Sequence, residues 1–243
     1  MTNFSTRSMC ATIDQGGIDL WRFDLDHQNP QAWPATLTQA DLDRAARLVR
    51  PSDCARFLQA RCCVRTLLGG YVGQAPQSLH FALNAYGKPS LATAGELGFN
   101  LSHSGNLAVL AVGRQPAIGV DLERVSHHRD AHALAHNICS PTELASLLQL
   151  SEHALSVPFL ICWTRKEAFL KALGVGLSRD PRHITVGTER VACHINDVVD
   201  GGSVALRTIE VSGTAVLSLA IRTGARCDQP TIHMRQFNLP CKA

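Results

Sequence analysis

Glu167 and Lys171 stand one helical turn apart in the stretch CWTRKEAFLKALGVGL, residues 162–177. A carboxylate and an ammonium at this spacing can bind a cation and a phosphate, or they can form an ordinary ion pair on a solvated helix face. The spacing alone favours the ordinary ion pair. The other acidic and basic residues of the chain therefore have to decide between the two interpretations.

A second pair of acidic residues lies in the stretch AIGVDLERV, residues 117–125. Its alternation predicts a strand on which Asp121 and Glu123 leave from one face while Val120 and Leu122 point into the core. Two neighbouring carboxylates repel each other, and a divalent cation such as Mg²⁺ relieves that repulsion and also accepts phosphate oxygens. The alternative is an acidic but merely solvated strand face.

Two turn-like stretches offer groups that bind phosphate. In FNLSHSG, the hydroxyl and N–H groups of Ser102, Ser104 and Gly105 are typical phosphate donors, and His103 adds a donor near neutral pH. In YGKP, Lys88 at the tip of a turn is either solvated or a point charge for phosphate. A hairpin turn with a structural histidine is the alternative for His103.

A row of histidines is a rival candidate for a metal site. His128, His132 and His136 recur at every fourth position, which places three imidazoles on one helix face, as in a zinc site. The sequence offers no further ligand at a diagnostic spacing. A solvated helix face is therefore the favoured interpretation.

Composition limits the class of protein. The chain has 243 residues, 45% hydrophobic, with a net charge of +3, which suits one large or two small domains and an acidic or phosphorylated partner rather than nucleic acid. No apolar run reaches the roughly 18 residues of a membrane span, and the N-terminal stretch lacks a signal sequence, so we expect a cytoplasmic protein. The nine cysteines show no C-x-x-C and are expected to be reduced.

The elements that position these residues form two similar halves. The pattern predicts a strand at 18–26, helices at 38–49 and 52–68, the second ending at Gly69 and Gly70, and a meander of hairpins from LHFAL, GFNLS, NLAVLAVG and AIGVDLERV. The second half repeats this plan with helices at 129–138, 141–150 and 157–173 and strands near HITV, VACHI, VALRTIEV and AVLSLAIRT.

This repetition predicts an internal duplication with an α+β fold. We expect an N-terminal lobe, residues 1–115, and a C-terminal lobe, residues 116–243, related by a pseudo-two-fold axis. A ligand site is expected in the cleft between the lobes, and the chain is expected to be a monomer.

The motifs YGKP, FNLSHSG, IGVDLE and WTRKEAFLKALGVGL occur in this order, and together the sequence from about Arg44 to Leu177 resembles the 4′-phosphopantetheinyl transferases of the surfactin-synthetase type. The resemblance implies the same two-lobed fold. It also implies that Asp121, Glu123 and Glu167 bind Mg²⁺, or Mn²⁺, on the pyrophosphate of coenzyme A.

Further roles follow from the same resemblance. Lys171 resembles a catalytic phosphate ligand, and Glu167 a general base that acts directly or through a metal-bound water. His103 and Ser102 resemble residues that contact the 3′-phosphate or pyrophosphate, with His103 also a catalytic candidate. The remaining coenzyme A contacts implied are Lys88, Arg44 and Arg56. Ile138 and Cys139 replace an aromatic pair that often precedes the S-x-x-E motif in this family.

The activity implied is transfer of the 4′-phosphopantetheine group of coenzyme A to a serine of an apo acyl- or peptidyl-carrier protein, with release of 3′,5′-ADP. Two alternatives remain, of which the first uses the same carboxylates. One is another Mg²⁺-dependent phosphoryl enzyme, such as a hydrolase of coenzyme A or nucleotides. The other is a silent binding module, which would not require the Glu167 and Lys171 pair.

Overall fold

The computed structural model of the protein describes residues 12–92, 95, 97–114, 117–125, 131–196, 202–223 and 230–239. In chain order the strands are β1 (Ile18–Asp24), β2 (Phe81–Leu83), β3 (Pro89–Leu91), β4 (Gly98–Ser104), β5 (Leu107–Gly113), β6 (Ile118–Arg124), β7 (Cys193–Asn196), β8 (Ser203–Ser212), β9 (Ala215–Thr223) and β10 (Ile232–Gln236). The main helices are α1 (Gln39–Ala45), α2 (Pro51–Val72), α3 (Ala131–Ile138), α4 (Pro141–Leu147) and α5 (Glu152–Leu173).

The strands form two four-stranded sheets and a separate hairpin. The first sheet has the order β10-β1-β5-β4, the second has the order β6-β9-β8-β7, and β2 pairs with β3. All pairs are antiparallel except β1 with β10, which is parallel. The predicted α+β, two-lobed fold is therefore confirmed.

The two sheets pack face to face, and each carries a long helix on its outer face. A core between the sheets is formed by residues of β1, β5, β6 and β9, namely Ile18, Leu20, Val109, Ala111, Ile118, Val120, Leu122, Leu217, Leu219 and Ile221. A second core joins α2 to the first sheet, and a third joins α5 to the second sheet. Because both faces of each sheet are covered, the central strands are apolar almost throughout.

In the first half of the chain, a buried ion pair joins the long helix α2 to the start of α1. Arg65 of α2 donates to Asp41, the acid of the capping box that Thr38 opens at the start of α1. The same guanidinium donates to the carbonyl oxygens of Pro76 and Leu79.

The second half repeats this arrangement with different side chains. Lys166 of α5 pairs at 2.7 Å with Glu143, the acid of the capping box of α4, and donates to the carbonyl oxygens of Pro181 and Ile184. Because an equivalent helix position, capping acid and pair of carbonyls recur, the contacts support the predicted internal duplication.

Several predicted boundaries were wrong for identifiable reasons. The helix predicted at 52–68 runs to Val72 and ends at Gly73, which adopts the left-handed conformation. Gly69 lies inside the helix, where a Cβ would lie 2.7 Å from the carbonyl oxygen of Gln74. The helix predicted at 38–49 begins after its predicted cap Thr38 but stops at Ala45, ahead of the extended Arg50 that precedes Pro51.

The helices of the second half also differ at their ends. The predicted helix 141–150 is α4, which ends at Leu147, and the predicted helix 129–138 is described from Ala131. The predicted helix 157–173 begins earlier, at Glu152, so that Pro158 lies inside it.

Three strand predictions need correction. The stretch HITV forms no strand, because side chains rather than a neighbouring strand satisfy the Ile184 carbonyl and the Val186 N–H. Strand β6 leaves the predicted meander and pairs with β9. Strands β3 and β10 were missed, and β10 joins the first sheet although it belongs to residues 116–243, the predicted C-terminal lobe.

None of the helices within the described residues combines the length and apolar character needed to cross a bilayer.

Candidate active site

Strand β6 and helix α5 bring the predicted acidic residues together. Val120 and Leu122 of β6 point into the core between the sheets, as predicted, so the alternate residues Asp121 and Glu123 point toward the face that α5 covers. Helix α5 carries Glu167 and Lys171, one turn apart. The strand pair and the helix pair therefore face the same region between β6 and α5.

Asp121 is nearly fully buried and only partly satisfied. Its Oδ1 accepts hydrogen bonds from Ser102 Oγ at 2.9 Å and from Lys171 Nζ at 2.6 Å. Its Oδ2 is buried and has no hydrogen-bond partner. Because a buried carboxylate oxygen without a partner is costly, this atom is a candidate ligand atom.

Glu167 presents the same feature from the helix. Its Oε1 is buried without a hydrogen-bond partner. Burial raises the pKa of Glu167, the negative charges of Asp121 and Glu123 raise it further, and Lys171 lowers it. The three carboxylates therefore interact electrostatically, and Lys171 is the cation that partly neutralises them.

These residues fit a divalent cation. Hard cations such as Mg²⁺ take carboxylate oxygens, and Asp121 Oδ2 and Glu167 Oε1 are two such oxygens left without other partners. A bound cation would offset both the repulsion and the desolvation that raise the pKa of Glu167.

A second cluster of possible metal ligands lies elsewhere in the second half of the chain. One atom each from Cys139, Glu143 and Cys162 lie within 4.8 Å of one another. Both oxygens of Glu143 are already occupied, by Lys166 and by backbone N–H groups at residues 140, 186 and 187. The group thus forms part of the buried framework of α4 and α5, whereas Asp121 and Glu167 each keep one buried oxygen without a hydrogen-bond partner.

A row of side chains from β4 joins the two sheets beside this site. Asn100 Oδ1 accepts the N–H of Val120 at 2.8 Å, and the hydroxyls of Ser102 and Ser104 accept the next two alternate N–H groups of β6, each at 3.2 Å. The two hydroxyls also donate to Asp121 and Glu123 respectively, at 2.9 and 2.8 Å. The β4 side chains thus replace a missing strand partner for the edge of β6.

The YGKP turn packs against the C-terminal end of α5. Lys88 Nζ donates to the carbonyl oxygens of Ile118 and Ala172, each at 3.0 Å, and Asn84 donates to the carbonyl oxygen of Gly174 at 2.7 Å. Burial lowers the pKa of Lys88 to about 8. A cavity of about 210 Å³ lies here, lined by Tyr86, Gly87, Lys88, Pro89, Asn100, Lys171, Gly174 and Gly176.

His103 does not join the carboxylates. It pairs across the sheet with Ala108, which pairs with Phe23, and the latter two pack on α2. Directly paired residues share a sheet face, so the exposed His103 points to the α2 side, opposite Ser102.

The predicted arginines belong to the α2 side as well. Arg56 of α2 forms two hydrogen bonds to Asp26, at 2.6 and 2.9 Å, and exposed Arg44 lies 5.8 Å from the ring centre of Phe57. The predicted residues therefore form two sets, one around the carboxylates and one along the outer face of the first sheet.

The two histidines of the row that lie within the described residues are solvated. His132 and His136 are exposed on α3, whose buried residues are Ala131 and Ala135. His128 lies outside the described residues.

A larger cavity, of about 390 Å³, contains none of the predicted site residues. It is lined by Arg165, Val186, Gly187, Thr188, Glu189, Val191, Cys193 and Ile195. Arg165 uses its guanidinium on Thr208 and on backbone carbonyls. We therefore take the smaller cavity, which borders Lys171, as the candidate substrate site.

The sequence interpretation missed the roles of Asn84 and Asn100, and it assigned Ser104 to phosphate. The signal that could have revealed the β4 row is the alternation Asn100, Ser102, Ser104, which matches the two-residue period of the facing strand. Asn84 has no such signal, because its partner lies on an element remote in sequence.

Two family models match consecutive parts of the chain. Residues 26–115 match the family described as 4′-phosphopantetheinyl transferase, N-terminal, and residues 117–199 match the 4′-phosphopantetheinyl transferase superfamily.

Curated proteins agree with these matches. The 4′-phosphopantetheinyl transferase HetI of Nostoc sp. is 39% identical over 174 residues, covering 69% of this chain and 73% of the relative. A 4′-phosphopantetheinyl transferase of Bacillus subtilis is 31% identical, with coverage of 59% and 63%. The 4′-phosphopantetheinyl transferase Sfp of Bacillus subtilis is 30% identical, with coverage of 58% and 67%.

Proposed function

Because the chain belongs to the 4′-phosphopantetheinyl transferase superfamily, we propose that it transfers the 4′-phosphopantetheine group of coenzyme A to a serine of an apo acyl- or peptidyl-carrier protein. The reaction releases 3′,5′-ADP and depends on Mg²⁺, for which Mn²⁺ can substitute. The observation that carries the proposal is the pair of buried, unpartnered oxygens of Asp121 and Glu167 beside Lys171. The ordered motifs and the relative Sfp support assignment to the surfactin-synthetase type.

In this mechanism the carboxylates of Asp121, Glu123 and Glu167 hold the cation. Mg²⁺ bound there would neutralise charge on the pyrophosphate oxygens of coenzyme A. Lys171 Nζ donates a hydrogen bond to Asp121 and lies at the edge of the cavity, where it would also contact a phosphate of coenzyme A. These groups act mainly by positioning and charge stabilisation, which dominate phosphoryl transfer.

The transfer needs only coenzyme A and the carrier serine as reactants. The serine oxygen of the carrier bonds to the β-phosphorus, the bond from that phosphorus to the bridging oxygen breaks, and 3′,5′-ADP leaves. We assign the carboxylate of Glu167 as the acceptor of the serine proton.

Coenzyme A would extend from the cavity toward the α2 side. Lys88 and Ser102 would border the pyrophosphate, for which the Ser102 hydroxyl has to exchange Asp121 Oδ1 for a phosphate oxygen. His103, Arg44 and Arg56 would supply donors for the remaining phosphate. Arg56 has to exchange Asp26 for the ligand, since its guanidinium is paired with that carboxylate.

Mass spectrometry of apo acyl- and peptidyl-carrier proteins incubated with coenzyme A and Mg²⁺ tests the function. We expect a gain of one phosphopantetheine group on the carrier, dependent on the metal and lost with Glu167→Gln. Steady release of 3′,5′-ADP without any carrier would instead identify a hydrolase. Binding of coenzyme A without either product would identify a silent binding module.

We also propose that the protein acts as a cytoplasmic monomer, because one chain supplies all the acidic residues and Lys171. Sedimentation of the purified protein at several concentrations measures this, and an obligate dimer with the carboxylates at the subunit boundary would contradict it.

Replacing the exposed histidines of α3 should have little effect. His132→Gln together with His136→Gln is expected to leave carrier modification within a few-fold of wild type, because both side chains face solvent. Initial rates with and without added zinc provide the measurement. Loss of activity, with zinc restoring chelated wild type, would show that a histidine metal site exists.

A further inference from the structure

Ser104 lies at the end of β4, where its hydroxyl serves two partners. The oxygen donates to Glu123 Oε2 at 2.8 Å and accepts the N–H of Arg124 at 3.2 Å. A serine hydroxyl has one proton to donate, and a carboxylate can only accept. The proton of Ser104 is therefore already used on Glu123, which argues against the phosphate contact that the sequence suggests.

Glu123 depends on this contact more than Asp121 depends on Ser102. Asp121 is nearly fully buried and is also held by Lys171. Glu123 is only half-buried, and within the described residues Ser104 is the one side chain that hydrogen bonds its carboxylate. A long flexible side chain with one restraint loses its orientation when that restraint is removed.

We propose that Ser104 is a positioning residue for Glu123, holding its carboxylate in the orientation that binds the divalent cation. This inference rests on the proposed function, since it assigns the cation to the same acidic residues. Hydrogen bonds that orient a ligating side chain typically contribute about 10- to 100-fold in metal affinity. The Arg124 N–H fixes the serine oxygen in turn, so the position of the carboxylate is set by the backbone of its own strand.

The β4 row contains a matched control. Asn100 accepts an N–H of β6 in the same way as Ser104 but contacts neither acidic side chain of that strand. Asn100→Ala thus removes a bond between the sheets without removing a carboxylate contact. Ser104→Ala removes both, and Ser104→Thr retains the hydroxyl on a residue that suits a strand.

The experiment measures Mn²⁺ binding directly, from the free Mn²⁺ signal in electron paramagnetic resonance, for the full chain without coenzyme A. We expect Ser104→Ala to weaken Mn²⁺ binding by about tenfold or more and Ser104→Thr to restore it. Asn100→Ala should lower the melting temperature but keep wild-type Mn²⁺ affinity. In carrier modification, Ser104→Ala should raise the Mg²⁺ concentration for half-maximal rate and leave the rate at saturating Mg²⁺ near wild type.

The outcomes separate this inference from the proposed function. Wild-type Mn²⁺ affinity in Ser104→Ala, in an otherwise active and metal-dependent protein, would overturn the positioning role alone. Equal loss of affinity in Ser104→Ala and Asn100→Ala would overturn it too, by showing a purely structural effect. A wild-type protein that neither binds Mn²⁺ nor modifies a carrier would overturn both the function and this inference.

Discussion

Replacing Glu167 with glutamine is expected to reduce carrier modification by roughly 10²- to 10³-fold even at saturating Mg²⁺. The amide keeps the size of the side chain but removes a cation ligand and the proposed acceptor of the serine proton. Initial rates against Mg²⁺ concentration provide the measurement. Glu152→Gln is the matched control, because Glu152 is an exposed glutamate in the first turn of the same helix.

The same substitution should stabilise the metal-free protein at neutral pH. The pKa of Glu167 is raised in the folded state, so folding favours its protonated form. Its contribution to stability is therefore complete below the ordinary glutamate pKa of about 4.3 and is lost as pH rises through the raised value. The melting temperature of Glu167→Gln minus that of wild type should increase from pH 4 toward neutral pH.

Two results would contradict this account of Glu167. A difference in melting temperature that does not change with pH would show that folding does not raise the pKa of Glu167. A rate at saturating Mg²⁺ close to that of Glu152→Gln would show that Glu167 is neither ligand nor base.

The elements of the fold follow from local patterns, but the partners of the strands do not. Alternation placed β4, β5, β6 and β9 close to their observed positions, since a two-residue period depends only on neighbouring residues. The pairing of β6 with β9, which places Ile118 opposite Ile221 and Arg124 opposite Ala215, and the pairing of β1 with β10 depend on packing between the sheets. No local sequence pattern predicts which strands pair.

Glycine shows how one residue type can mislead. Gly73, with φ of +66°, ends α2 in the left-handed conformation that glycine adopts readily. Gly69, four residues earlier, was expected to end the same helix but lies buried within it. Its requirement is space beside the carbonyl oxygen of Gln74, which only the folded chain reveals.

In the site, side-chain direction was predictable and burial was not. The period of two put Asp121 and Glu123 on one face of β6, as observed. The alternative interpretation was a solvated strand face, whereas Asp121 is 4% exposed, because α5 and the β4 row cover it. The cation-binding roles of these residues stay predictions until metal binding is measured.

Asp121→Ala should preserve the fold. Val120 and Leu122 keep their places in the core between the sheets, and removing one of three interacting carboxylates relieves the repulsion that raises the pKa of Glu167. Lys171 loses its 2.6 Å partner but keeps Ser102 Oγ and the Val120 carbonyl oxygen as acceptors, each at 3.3 Å. The melting temperature should therefore be unchanged or slightly higher.

Carrier modification by Asp121→Ala should nevertheless fall by roughly 10²- to 10³-fold or more at low Mg²⁺, because a buried ligand oxygen is lost. Excess Mg²⁺ should recover part of the rate, unlike in Glu167→Gln, since Asp121 is assigned to cation binding and not to proton transfer. Rates across a Mg²⁺ series and thermal melts are compared with Glu210→Ala, an exposed glutamate on β8 of the same sheet. Near-normal rates for Asp121→Ala at low Mg²⁺ would show that this face of β6 binds no cation, and that the unpartnered Oδ2 has a purely structural cause.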